Sequence, residues 1–263
     1  MLRHVFLTST MVSIAAFAAL AQTTPPPAFE VASIKPSPGG KAGEGLKRDM
    51  RTGAAVQVSP DGLTIRSSSL RQILCWAHKM FDYQVIGPDW LGSERFDIVA
   101  KAAGPVDADQ LHTMLQTLLT DRFKMTTHRQ TKEMNAYVLQ IAKSGFKAKE
   151  STSGDGDMEI APNQQRMQVV VKRAGVPQLI DALSNIFKAP VVDETGLTGR
   201  YDVTLDMMKY LADMKPSETG APPDPQAIIL RGIQEELGLK MEPKKMQVEQ
   251  LVIDKAEKVP SAN

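Results

Sequence analysis

The chain has 263 residues, of which 42% are hydrophobic, 23% charged and 5% aromatic, with 31 Lys+Arg against 30 Asp+Glu. That length supports one large domain or two small ones with their own cores, and the apolar share excludes wholesale disorder. A formal charge of +1 argues against nucleic acid as the partner, and the single cysteine, Cys75, excludes an intrachain disulfide and a cysteine-rich zinc centre.

Residues 1–21, MLRHVFLTSTMVSIAAFAALA, read as a signal peptide: Arg3 and His4 precede an apolar run from Val5 to Leu20, and Ala19-Leu20-Ala21 forms a small-x-small cleavage pattern. The run is short and interrupted by Ser and Thr, whereas a membrane span needs about 20 strongly apolar residues. The expectation is an exported protein, periplasmic or extracellular after cleavage following Ala21, with no later membrane span. Cleavage removes one Arg and no acid, leaving a neutral mature chain. Cys75 lies in a stretch (Leu70–Phe81) with apolar residues at helical spacing and no base placed beside it, so it reads as a core thiol.

Residues 22–53 hold a proline-rich lead-in, an alternating strand from Phe29 to Lys35 and a loop rich in Gly, Lys and Pro. Residues 54–143 read as a first α+β unit, 144–165 as a polar connector, 166–258 as a second α+β unit and 259–263 as a tail. A further long loop covers 215–225. The two units resemble each other. Leu63-Thr-Ile65 matches Val169-Val-Val171, Leu70 to Leu74 matches Val176 to Ile180, and Val85-Ile86 matches Val191-Val192, all 106 residues apart. Arg95-Phe-Asp-Ile98 matches Arg200-Tyr-Asp-Val203, Leu119–Met125 parallels Glu235–Met241, and Tyr137–Ile141 parallels Gln250–Asp254. The shared pattern is βαββαββ. In the first unit its elements fall at 62–67, 69–82, 83–86, 94–101, 107–121, 123–130 and 134–142. Leu111, Met114, Leu115, Leu118 and Leu119 form the apolar face of the second helix, with Asp107 and Asp109 at its positive end and Arg122 and Lys124 beyond its other end. Gly238 is a candidate C-terminal cap in the second unit. The expected fold class is α+β, two internally duplicated units whose small sheets are covered by helices.

Chemistry-bearing motifs are scarce. His78, His112 and His128 fall into no zinc-binding spacing and read as surface or cap histidines. There is no Gly-x-Ser-x-Gly, no P-loop and no Gly-x-Gly-x-x-Gly, so no cofactor and no metal are expected. Ser144-Gly-Phe-Lys147 matches Ser-x-x-Lys in a loop setting unsuited to an acyl-enzyme. Asp107/Asp109 and Glu235/Glu236 read as a helix start and a solvated helix face. The candidate binding surface is Trp90 and Leu91 on a turn, matched by Asp193–Gly199 in the second unit, together with Arg95 and Arg200. The alternatives are a hydrophobic lid for the turn and local Arg–Asp pairs for the arginines.

Phe29-Glu-Val-Ala-Ser-Ile-Lys-Pro36 after a signal peptide, Trp90-Leu91 with Arg95-Phe-Asp-Ile98, Met114–Leu119 followed by Arg122-Phe-Lys, and Thr195–Asp202 are shared motifs. Together they resemble a family of exported proteins abundant in soil bacteria. That resemblance spans nearly the whole mature chain and implies a domain of unknown function, with no catalytic residues to carry over. Similar domains are attached to membrane metallopeptidase sensors. The element order of the unit also resembles the short N-terminal domains of secretins and TonB-dependent receptors, which contact other proteins. The reading is a non-catalytic protein- or ligand-binding, or sensory, module of the cell envelope whose partner is another envelope protein. One alternative is an envelope-polymer hydrolase, for which His78, His112 or Asp97 should converge between the units. The other is a self-assembling structural protein using exposed strand edges.

Overall fold

The computed structural model describes residues 26–37, 46, 48–152, 159–163, 168–206, 209–210 and 224–261. The expected leader, the start of the proline-rich lead-in and nearly all of the 215–225 loop lie outside the described residues.

Local chemistry sets the helix starts. Ser69 caps α1 (Leu70–His78), its hydroxyl accepting from Gln72 N at 3.2 Å while Gln72 Oε1 accepts from Ser69 N at 2.9 Å. Asp107 and Gln110 make the same reciprocal pair at the start of α3 (Ala108–Phe123), at 2.7 and 3.0 Å. Between these helices, α2 (Trp90–Ser93) forms a single turn. In the second half, α4 (Val176–Phe187) starts with Pro177 in its first turn, and α5 (Pro225–Gly232) continues into a π turn, Ile233–Leu237.

Two four-stranded antiparallel sheets have the same construction. The first runs in the order β1 (Val31–Pro36), β5 (Arg95–Lys101), β3 (Gly62–Ser69), β2 (Ala55–Ser59). The other runs β7 (Lys149–Glu150), β11 (Arg200–Asp206), β9 (Gln168–Gly175), β8 (Glu159–Asn163). Each has a bulge at one place: Ser67 and Arg173, 106 residues apart, have φ of 41° and 56° and interrupt the ladder. A bulge leaves a backbone N–H without a ladder partner. The Asp97 carboxylate accepts the one at Ser67 (2.8 Å), and Asp202 accepts the one at Arg173 (3.0 Å). Asp97 and Asp202 therefore complete the backbone of the bulges.

The third sheet joins the halves. β6 (Thr126–Ile141) and β12 (Leu239–Lys255) pair antiparallel along their length, a ribbon on the order of 50 Å long at strand rise. The sequence pattern predicts two strands at 123–130 and 134–142. One continuous strand forms instead, because the polar stretch Thr126–Glu133 contains no Gly or Pro and all of it pairs with β12. The connector at 144–165 also differs from expectation, since it carries β7 and β8.

The short strands cross over. β4 (Val85–Ile86), which follows α1, lies parallel to β12, with Val85 opposite Leu251. β10 (Val191–Asp193), which follows α4, lies parallel to β6, with Val191 opposite Tyr137. Through these partners Tyr137 takes the same place as Leu251, one residue on from the expected Gln250. The cores follow this exchange. Leu251 and Ile253 of β12 are buried with Leu70, Leu74 and Phe123 of the first half, whereas Leu139 of β6 is buried with Leu183 and Leu237 of the second.

Lys124 (φ 48°) ends α3 and Gly238 (φ 65°) ends the π turn, each just before its ribbon strand. At Gly238 the expected cap also serves a close approach, since an added Cβ would collide with the Gly145 carbonyl oxygen. The turn carrying Gly145 is tied to the same point by Ala142 N–H to Gly238 O (2.8 Å) and Lys147 N–H to Leu237 O (2.9 Å). Gly238→Ala should lower stability by about 2 kcal/mol or more, read from urea unfolding. An unchanged midpoint would contradict the close approach.

Candidate functional site

Polar side chains gather where the loop at 48–54 meets α4. Asp49 Oδ1 accepts from both the backbone N–H and the hydroxyl of Thr52 at 2.8 Å, which sets the turn. The Arg51 guanidinium, lying 5.1 Å from the Phe81 ring centroid, donates to Asp181 Oδ1 from Nε (3.2 Å) and Nη2 (3.0 Å). One turn along α4, Asn185 Nδ2 donates to the carbonyls of Met50 (2.6 Å) and Arg51 (2.9 Å). From the first half, Gln72 Nε2 donates to Gly53 O at 3.3 Å. The loop is a clasp held by α1 on one side and α4 on the other.

Beside the clasp is an open cleft of about 260 Å³ bordered by Asp49, Arg51, Trp76, Lys79, His112 and Asp181. Its charges have partners: Arg51 pairs with Asp181, and Lys79 Nζ lies 2.5 Å from Asp109 Oδ1. Burial raises the Asp181 carboxyl above its usual range although Arg51 pulls the other way.

The second half contains a different space, an apolar cavity of about 240 Å³. The sheet contributes Val171, Ala174 and Val203 to its wall, and α4 contributes Leu179, Ala182, Leu183 and Ile186. Leu139 and Leu239 come from the ribbon, Ile229, Ile233 and Leu237 from α5 and the π turn, and Met50 and Phe146 from loops. The polar side chains in the wall are those of Gln178 and Thr195, and the Thr195 hydroxyl donates to Asp193 Oδ1 at 2.7 Å. An occupant here meets hydrocarbon, a thioether and an aromatic ring. A π turn inserts an extra residue per turn and widens the helix locally, and here both Ile233 and Leu237 of that turn face the cavity.

The residues singled out from sequence fall as follows. Leu91 is fully buried, and Trp90 is half-buried against the first core. Arg95 Nη1 donates to Ser67 O at 2.7 Å, bracing the bulge, and Arg200 is exposed at the start of β11, where its carbonyl accepts from Ser151 N at 2.8 Å. Cys75 is buried, which pushes its thiol up to about 12, so it is a core thiol. In the Ser144–Lys147 turn, Lys147 Nζ donates to Glu235 O at 2.9 Å, tying that turn to the helix. Glu235 pairs with Arg231 (2.7 Å), and Glu236 accepts from Lys209 and from the buried Tyr210 hydroxyl, both at 2.8 Å.

Of the three histidines read as surface or cap residues, His78 lies in the last turn of α1 and His128 is exposed, but two are more buried than a surface reading implies. His78 and His112 each bury an Nδ1 atom, and the His112 ring lies 4.0 Å from that of Trp76. Among the described histidines, His78 and His112 are partly buried and His128 alone is exposed, with Nδ1 2.9 Å from Asp254 on the ribbon. Among the described residues, His112 borders the cleft, His78 does not, and Asp97 serves the bulge. No group of three or more metal-ligating side chains is present among the described residues, and none of the described helices is long and apolar enough to cross a membrane.

The cavity-lining positions Ala182 and Leu237 escape a sequence reading because small and aliphatic residues carry no functional signature. A usable signal is the comparison of halves, where the large aromatic Trp76 in one corresponds to the small Ala182 in the other, 106 residues on.

Fold and pocket together define an α+β protein with two four-stranded antiparallel sheets joined by a third, shared ribbon sheet, and an apolar pocket beside the second of them. The chain belongs to a family described as a protein of unknown function, DUF3738, whose model matches residues 71–256. No curated protein and no solved structure matches the chain.

Burial sets the pH response of His78, lowering its pKa from 6.5 to about 4, with Arg129 acting in the same direction. Between these values the unfolded chain takes up a proton that the folded chain refuses. Stability is therefore full above pH 6.5 and falls as pH drops toward 4. His112 is shifted in the same direction, first by burial. His78→Gln should flatten the fall in urea midpoint across this window. An unchanged slope would assign it elsewhere.

Proposed function

We propose that this chain is an exported, non-catalytic binding module of the cell envelope whose ligand occupies the apolar cavity of the second half. The leader-like residues 1–21 support export. The observation that carries the binding reading is the cavity itself, about 240 Å³ of space walled almost wholly by hydrocarbon. The pocket is partly open to solvent, and Ile186 on its wall is exposed, so an occupant can reach it. Filling such a space with an apolar group restores dispersion contacts that the walls otherwise lack. Its polar side chains, Gln178 and Thr195, include no acid, base or cysteine to act on an occupant, which supports binding over turnover.

α4 places this site next to the clasp. Leu179, Leu183 and Ile186 face the cavity, while Asp181 and Asn185 hold the loop at 48–54. Met50 belongs to both, lining the cavity while its carbonyl accepts from Asn185. An occupant thus touches an element that the first half also grips, a physical basis for a sensory role toward an envelope partner.

The test is titration of the mature protein, residues 22–263, with N-phenyl-1-naphthylamine, a neutral dye whose fluorescence rises in apolar surroundings. The wild type should show saturable binding at one site. Ala182→Trp, which fills the cavity from α4, should weaken it at least tenfold while circular dichroism shows the protein still folded. Absence of saturable binding, or equal binding by the folded variant, would overturn the proposal.

A further inference from the structure

We infer that the cavity takes a planar aromatic ring system, one or two fused rings of a small molecule; this rests on reading the cavity as the ligand site. The argument comes from what fills the same place in the first half. The bulges at Ser67 and Arg173 and the short-strand starts at Val85 and Val191 are 106 residues apart, so Trp76 and Trp90 correspond to Ala182 and Gly196. The left-handed caps Lys124 and Gly238 are 114 apart, not the 116 of the Leu119–Met125 and Glu235–Met241 match, so by structure Phe123 corresponds to Leu237 rather than to Leu239.

In the first half both indoles pack against the core, and Phe123 meets Phe96 edge-on with ring centroids 5.0 Å apart. In the second half Tyr201 stands where Phe96 does, and its ring meets Phe146 edge-on at 4.7 Å. The aliphatic frame is retained while aromatic bulk is lost at three positions, two of which, Ala182 and Leu237, line the cavity.

Wall chemistry and size agree with an aromatic guest. The Met50 thioether and the Phe146 ring are groups that aromatic rings contact favourably. The volume of about 240 Å³, in a pocket partly open to solvent, exceeds the roughly 150 Å³ sealed cavity that accepts benzene and falls below the roughly 300 Å³ at which drug-sized pockets begin. A naphthalene-sized ring is the matching scale.

The experiment uses the mature chain with ¹³C-methyl methionine, titrated separately with naphthalene and with 1-octanol, the Met50 methyl resonance being assigned through Met50→Leu. Naphthalene should move that resonance saturably by its ring current and bind at least tenfold more tightly than 1-octanol. Ala182→Trp should abolish the shift. Equal or tighter binding of 1-octanol, with sensitivity to Ala182→Trp, would overturn the aromatic assignment and leave the cavity as an apolar-ligand site. Binding of neither probe, or binding indifferent to Ala182→Trp in a folded variant, would overturn both.

Discussion

The pairing of β6 with β12 is the constraint on which the rest of the structure depends. Each strand ends one half of the chain, and each carries the short strand of the opposite half on its outer edge. Leu251 and Ile253 thereby enter the first core and Leu139 the second. A half of some 100 residues has a modest core of its own, and here a strand from its neighbour closes it. The clasp at Arg51, Asp181 and Asn185 is a second, polar joint between the same partners.

A joint made this way permits unequal cores. The first is filled by Phe96 and Phe123 among the aliphatic residues of α1 and α3, with the partly buried Trp76 and Trp90 packed against it. The second keeps the sheet, helix and ribbon frame but leaves space beside Ala182 and Leu237. An apolar void weakens the protein that contains it, by lost contacts and lost burial. The second half holds the pocket, and the first half, with its filled core, supports it.

Much of the fold was legible in the sequence. Alternation marked β1, the amphipathic stripe from Leu111 to Leu119 marked α3, and Arg-aromatic-Asp at two places marked the strands that brace the bulges, whereas β2 (Ala55–Ser59) was not among the expected elements. The break expected between 130 and 134 was wrong because periodicity reports which face is buried, and Thr126–Glu133 buries neither while still pairing with β12. The exchange of short strands was also hidden, since two-residue segments such as Val85-Ile86 carry no information about their partner. Trp90 and Leu91 drew attention by residue type, whereas the cavity is defined by what Ala182 and Leu237 lack. Space between side chains is a property of packing, and a single sequence displays it only where two related segments can be compared.

The most direct test of this account uses the placement of the two tryptophans, Trp76 and Trp90, both in the first half. Urea unfolding of Leu183→Ala, a change in the second core, is followed by tryptophan fluorescence and by far-ultraviolet circular dichroism. Interdependent halves require one transition: the two signals should coincide, and both should shift to lower urea by the same amount relative to the wild type. A fluorescence midpoint that stays at the wild-type value while the dichroism midpoint falls would show that the first half stands alone, and would contradict the shared ribbon as the basis of the fold.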